Sequence, residues 1–214
     1  MNQFSDHHFV ESRDTCNILH LISTDRMNRL AGERVLVLTK AVEELRGDAA
    51  CCVSAQKHEC KPLIITGNKH YFSVGADLNE ISKLDGAMAF DFAKMGQRLM
   101  SLIDDFPAPV YAAVSGYCMG GGLDLALACD FRICAANTTF GHRGAALGLI
   151  TGWGGTQRLP RIVGRARASR MFVAAEKLGA AEALEIGLVS EIVSDPLGHA
   201  IQLAMERHRM ELSG

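Results

Sequence analysis

The order of apolar and polar positions divides the 214-residue chain into short strands and amphipathic helices. Residues 17–23 read as a strand. Val35, Leu38, Val42 and Leu45 recur at helical spacing and predict a helix over residues 29–46. Residues 47–61, polar and cysteine-containing, read as a loop. Residues 62–66 (PLIIT) predict a short buried strand ending at Gly67. Met88, Phe92, Met95 and Leu99 share one face of a helix over residues 87–103, a stripe that reads as core rather than as a ligand contact. Residues 105–109 break the pattern and residues 109–114 form another strand. A helix over residues 120–128 and a strand over residues 131–135 come next. Helical patterns then recur near residues 155–162, 165–175, 180–186 and 197–211. Strands alternating with helices imply an α/β architecture with short parallel pairings, and no internal sequence repeat is visible.

Composition narrows the class. The chain is 48% hydrophobic and 21% charged, values expected of a soluble globular domain. Its length suits one well-buried domain, or one with a small appendage. A formal charge of −2 leaves no basic footprint for nucleic acid. The arginines between Arg158 and Arg170 read as a solvated helix face, with an anionic-ligand patch as the alternative. Seven cysteines form no disulfide framework and the first 14 residues are polar, so reduced thiols and a cytoplasmic location are expected. Cys51, Cys52, His58 and Cys60 match no common zinc spacing, and no metal site is expected. Cys129 and Cys134 read as small core residues. Residues 110–129 are long and apolar enough to raise a membrane span. Asp124 and the glycine run inside the segment favour a buried strand-turn-helix instead.

That segment, SGYCMGGGLDLALACD over residues 115–130, carries the chemistry. Gly120, Gly121 and Gly122 strip side chains from one patch of backbone, so a ligand can approach bare N–H groups. Asp124 is the only charge between Tyr117 and Cys129. A carboxylate in such surroundings is retained where it has a partner or a task. Donors beside an acid suit chemistry on a polarised carbonyl.

Four ordered segments resemble the crotonase (enoyl-CoA hydratase/isomerase) superfamily. They are PLIITGNKHYFSVGADLNEI, VSGYCMGGGLDLALACDFRICA, FGHRGAALGLITGWGGTQRLPRIVGRARA and AEALEIGLVSEIV. The likeness runs from about residue 62 to residue 193. It implies a crotonase-like α/β fold, a spiral of ββα units, as a core domain over residues 1–193. A short C-terminal helical segment over residues 194–214 follows, a shortened form of the helical region in relatives. The resemblance further implies an acyl-CoA thioester substrate, a role in fatty acid metabolism and a homo-oligomer, a trimer or hexamer. It implies no cofactor, no nucleic acid and no membrane partner.

Matching the motifs residue by residue assigns two backbone N–H groups, at Ala76 and Gly121, to the thioester oxygen. There they would stabilise an enolate. Gly75 and Gly120 flank them, and Val74 stands where relatives carry a small residue near the CoA adenine. Asp77 reads as a turn-shaping side chain and His70, Lys69 and Lys83 as solvated. Hydratases of the superfamily divide the work between two glutamates. Asp124 occupies the position of one, shorter by a methylene, and is read either as the principal proton handler or as a satisfied structural carboxylate. The other position holds Gly144. Naphthoate synthases of the superfamily also carry glycine there and recruit bicarbonate, but the aspartate they place later is Thr151 here. Dienoyl-CoA isomerases share G-G-G-x-D-L yet carry acids where this chain has Gly144 and Gly152. His142 and Arg143 flank the vacancy. Histidine is the side chain suited to act as a base near neutral pH, so His142 is kept as a substrate-contacting candidate beside a structural or surface reading. Trp153 is expected to pack beneath the glycines. The resulting expectation is an enoyl-CoA hydratase/isomerase-type lyase or isomerase with an atypical acid/base set, whose hydration a glutamate at position 144 would raise. A catalytically weak acyl-CoA-binding or scaffolding homologue is the alternative.

Overall fold

The computed structural model describes residues 3–4, 8–54 and 61–212. In chain order the elements begin with strands β1 (Gln3–Phe4), β2 (His8–Ser12), β3 (Asn17–Leu21) and β4 (Arg29–Leu30), then helix α1 (Gly32–Ser54). They continue with β5 (Leu63–Thr66), β6 (Tyr71–Ser73), β7 (Gly75–Ala76), α2 (Leu78–Ile81) and α3 (Gly86–Asp104). Next come β8 (Val110–Val114), β9 (Tyr117–Met119), α4 (Gly121–Leu127), β10 (Phe131–Cys134), β11 (Thr139–Gly141) and a 3-10 turn (Gly144–Leu147). The chain closes with α5 (Gly155–Val163), α6 (Arg165–Val173), β12 (Lys177–Gly179), α7 (Ala180–Glu185), β13 (Glu191–Ile192) and α8 (Pro196–Leu212).

The pairing explains this order as a spiral. The first strand of each unit, β3, β5, β8 and β10, joins a large sheet in parallel with its neighbours. The second strand turns away into a smaller layer: β6, β9 and β11 pair in parallel, and β4 pairs with β7. A helix returns the chain to the large sheet, giving successive ββα turns such as β5-β6-α3 and β8-β9-α4. β8, VYAAV, is buried at every position, as a strand covered on both faces must be.

Helix α8 lies on one face of the large sheet, where Ala200 and Ala204 cluster with Ile18, Ile64, Tyr111, Ala113 and Ile133. The main core lies on the other face and takes in α1, α3 and α4. α3 starts where the Asp85 side chain accepts from the Met88 N–H at 2.9 Å, an N-cap that satisfies one open donor of the first turn. Among the described residues no helix is long and apolar enough to cross a membrane.

Three local expectations need correction. The loop over residues 47–61 is helical as far as Ser54, since nothing between Arg46 and Ser54 stops α1. The helix does not begin at residue 29, because Arg29 and Leu30 are held in strand pairing with Gly75 and Ala76. On α3 the buried stripe is Gly96, Leu99, Met100 and Ile103, whereas Met88 is exposed and Phe92 only half-buried. His58 and Cys60 lie outside the described residues, as do the side chains of Cys51 and Cys52. Among the described residues no three His, Cys, Asp or Glu side chains converge in a metal-holding group.

Candidate active site

Two turns far apart in sequence meet at one point. Gly75 has φ +88°, and a Cβ on it would lie 2.7 Å from both the Gly121 nitrogen and the Met119 oxygen. Only glycine at this position allows the FSVGAD turn to press against the triple glycine. Gly120 takes φ +53° and ψ −123°, turning the chain from β9 into α4. A Cβ on Gly121 would sit 3.5 Å from the Ala76 nitrogen, so the two assigned backbone groups lie close together. The Gly121 N–H opens α4 and has no acceptor within that helix. Asp77 follows and caps α2, its side chain accepting from the Asn79 N–H at 2.8 Å.

This junction lines a cavity of about 510 Å³. Val74, Ala76, Gly120, Gly121, Asp124, His142 and Gly144 all reach its wall, together with Phe92, Thr151 and Trp153. The remaining lining is mostly aliphatic, and among the described residues Arg143 supplies the only ionisable side chain besides Asp124 and His142. His70, Lys69 and Lys83 are exposed and stand apart from it.

Asp124 projects from the first turn of α4 and is completely buried. Its Oδ1 lies 3.0 Å from His142 Nε2, and its Oδ2 accepts from the Thr151 hydroxyl. A carboxylate removed from water needs such partners, and the two it has arrive from different segments. His142 follows directly on β11, and its ring leans on Phe172 of α6 with centroids 5.0 Å apart. At 3% exposure His142 is an interior residue, which overturns the surface reading. Gly155 owes its identity to the same carboxylate, which occupies the space a Cβ would need.

Trp153 packs as expected, its indole filling the positions of Cβ atoms on both Gly96 and Gly121, and its Nε1 donating to the Phe92 carbonyl at 3.2 Å. At Gly144 the geometry departs from the expectation of a simple vacancy. A Cβ there would lie 2.6 Å from the Leu149 carbonyl oxygen, a backbone atom that cannot swing aside. The turn is closed by the Leu149 N–H donating to the Gly144 carbonyl at 2.8 Å. Cys118 is an interior thiol whose Sγ lies 3.5 Å from the Gly122 carbonyl, and burial raises its pKa well above the ordinary value. It is protonated and no nucleophile. Motif reading did not identify Thr151, Phe172 and Gly155 as partners of the acid and the histidine. The only trace in sequence was the position of Thr151, where some relatives place an aspartate.

The chain belongs to the enoyl-CoA hydratase/isomerase family, whose sequence profile matches residues 21–209. It is 37% identical over 185 residues to a crotonyl-CoA hydratase of Syntrophomonas wolfei, covering 86% of this chain and 68% of that one. It is 37% identical over 189 residues to a 2,3-dehydroadipyl-CoA hydratase of Escherichia coli, covering 85% of this chain and 71% of that one. A probable enoyl-CoA hydratase of Bacillus subtilis matches at 44% identity over 131 residues, 61% of this chain and 51% of that protein. Among solved structures, Pseudomonas aeruginosa DspI superposes with a TM-score of 0.86 at 32% identity, over 97% of this chain and 83% of that chain. The fold is therefore the crotonase fold, and the protein is an enzyme of enoyl-CoA hydratase/isomerase type.

Proposed function

We propose that the chain transfers protons on an acyl-CoA thioester through an enolate whose oxygen is held by the N–H groups of Ala76 and Gly121. The observation that supports this reading is the contact of Gly75 with Gly121, beside a mostly apolar cavity that Ala76 and Gly121 line. Fixed donors aimed at a developing oxyanion are worth about 3–4 kcal/mol each in comparable sites. The acid/base work falls to Asp124 and His142, two residues of the cavity lining that contact one another.

One such pair suffices to take a proton from the α-carbon and return it there or, in a 3-enoyl chain, at the γ-carbon. Hydration asks for a second group to activate water, and position 144 offers none. Double-bond migration is therefore preferred to hydration. Hydration remains the second reading because relatives at 37% identity carry hydratase names. The same proposal includes a homo-oligomer, for which light scattering is the measurement.

The test pairs calorimetry of acyl-CoA binding with turnover of crotonyl-CoA, 3-enoyl-CoA and dienoyl-CoA, and with deuterium exchange at the α-carbon of butyryl-CoA. Binding with exchange and isomerisation exceeding hydration is the expected outcome. Absence of acyl-CoA affinity sinks the reading. Affinity without any turnover or exchange leaves the scaffolding homologue instead.

A further inference from the structure

We infer that His142 is the catalytic residue that exchanges the substrate proton, through Nδ1, and that Asp124 is its positioning residue. This rests on the enolate reading above.

Asp124 is poorly placed to act alone. It has no exposed surface, and each carboxylate oxygen already accepts a bond, Oδ1 from His142 and Oδ2 from Thr151. An ionised carboxylate only accepts, so the nitrogen facing it, Nε2, is the one that carries hydrogen. In the neutral ring Nδ1 then bears the lone pair.

No described protein group bonds Nδ1. Among described residues the buried side-chain nitrogens left without a partner are Arg34 Nη1 and Arg158 Nε, so Nδ1 is not sealed away. His142 is 3% exposed and lines the cavity, which we take as the route to Nδ1. The other ionisable side chain on that wall among the described residues, Arg143, carries a guanidinium, which has donors and no acceptor and is no base. The arrangement is that of a base oriented by a buried carboxylate, with Thr151 holding the carboxylate and Phe172 bracing the ring.

The step balances within the site. The Nδ1 lone pair takes the α-proton, and the C–H electron pair moves into the enolate with its negative charge on the thioester oxygen. The imidazolium so formed keeps its Nε2 hydrogen towards the Asp124 carboxylate. Return of the proton from Nδ1 to the α-carbon completes exchange, and return to the γ-carbon completes double-bond migration. No oxidant, reductant or further reactant enters.

The experiment follows α-deuterium exchange of butyryl-CoA in D2O, with binding by calorimetry and thermal melts alongside. His142→Gln keeps an amide nitrogen towards Asp124 and lacks a base at Nδ1. It should lose about 10²–10⁴-fold in exchange rate while its butyryl-CoA affinity stays within threefold of wild type. His142→Gly is the second variant, and added imidazole should restore at least tenfold of its lost exchange. Asp124→Asn should also lose exchange, and imidazole should leave that loss unchanged. Wild-type exchange with His142→Gln within threefold of it overturns the assignment and leaves the enolate reading standing. Failure of imidazole to restore a His142→Gly variant that binds butyryl-CoA overturns it equally. A wild type that binds acyl-CoA yet shows no exchange overturns both.

Discussion

Trp153 and Gly121 offer a direct measure of how tightly the cavity wall around the triple glycine is built. A Cβ on Gly121 would lie 2.5 Å and 2.7 Å from two ring atoms of Trp153, while its next neighbour, the Ala76 nitrogen, sits at an ordinary 3.5 Å. Gly121→Ala is therefore a pure overpacking change, costing about 1–3 kcal/mol. For a chain of this size that lowers the melting temperature by about 2–12 °C. Trp153→Ala alone should cost about 3–5 kcal/mol, since the indole is almost wholly buried. In the doubly substituted protein the methyl meets empty space, so Gly121→Ala should then add less than about 0.5 kcal/mol. Urea unfolding followed by circular dichroism on the four proteins measures the coupling. Additive costs would refute the contact geometry.

Gly144→Glu should destabilise by about 1–3 kcal/mol through its clash with the Leu149 carbonyl, without raising crotonyl-CoA hydration. A variant that melts like wild type and hydrates faster would show that the turn yields. Burial pushes the Cys129 thiol up to about 12 and the Cys134 thiol up to about 11, from 9.0 in the unfolded chain. The folded state thus holds protons that the unfolded state gives up. The stability they contribute is complete below pH 9.0 and is lost as pH rises through about 11 to 12. Urea midpoints should fall between pH 8 and pH 10.5, and a rise would contradict the assignment.

The strand-helix alternation was legible because β3, β5, β8 and β10 are apolar runs bounded by polar or glycine-rich turns. The two-residue strands β4 and β7 were not, since Arg29 and Gly75 owe their extended pairing to the meeting of two turns rather than to any local preference. The end of α1 was missed because cysteines and small polar residues resemble a loop while still permitting a helix. At the site, the two glycine-containing motifs pointed to two turns that the fold brings into contact. The Asp124–His142 contact spans 18 residues and depends on where β11 ends relative to α4, information that no periodicity carries. Gly144 read as an empty acid position, yet it is equally a place where only glycine fits beneath Leu149.

The chain has a single tryptophan, and that residue lies against Gly121 on the wall of the cavity. The protein therefore contains one dominant emitter, placed on the wall of that cavity. Light absorbed at the red edge of the protein band is emitted from this indole alone. Its colour and lifetime register the packing of Phe92, which lies 5.2 Å away, and the departure of water from the cavity. Occupancy of the site can be followed optically in the unaltered protein, with no label attached and no turnover required.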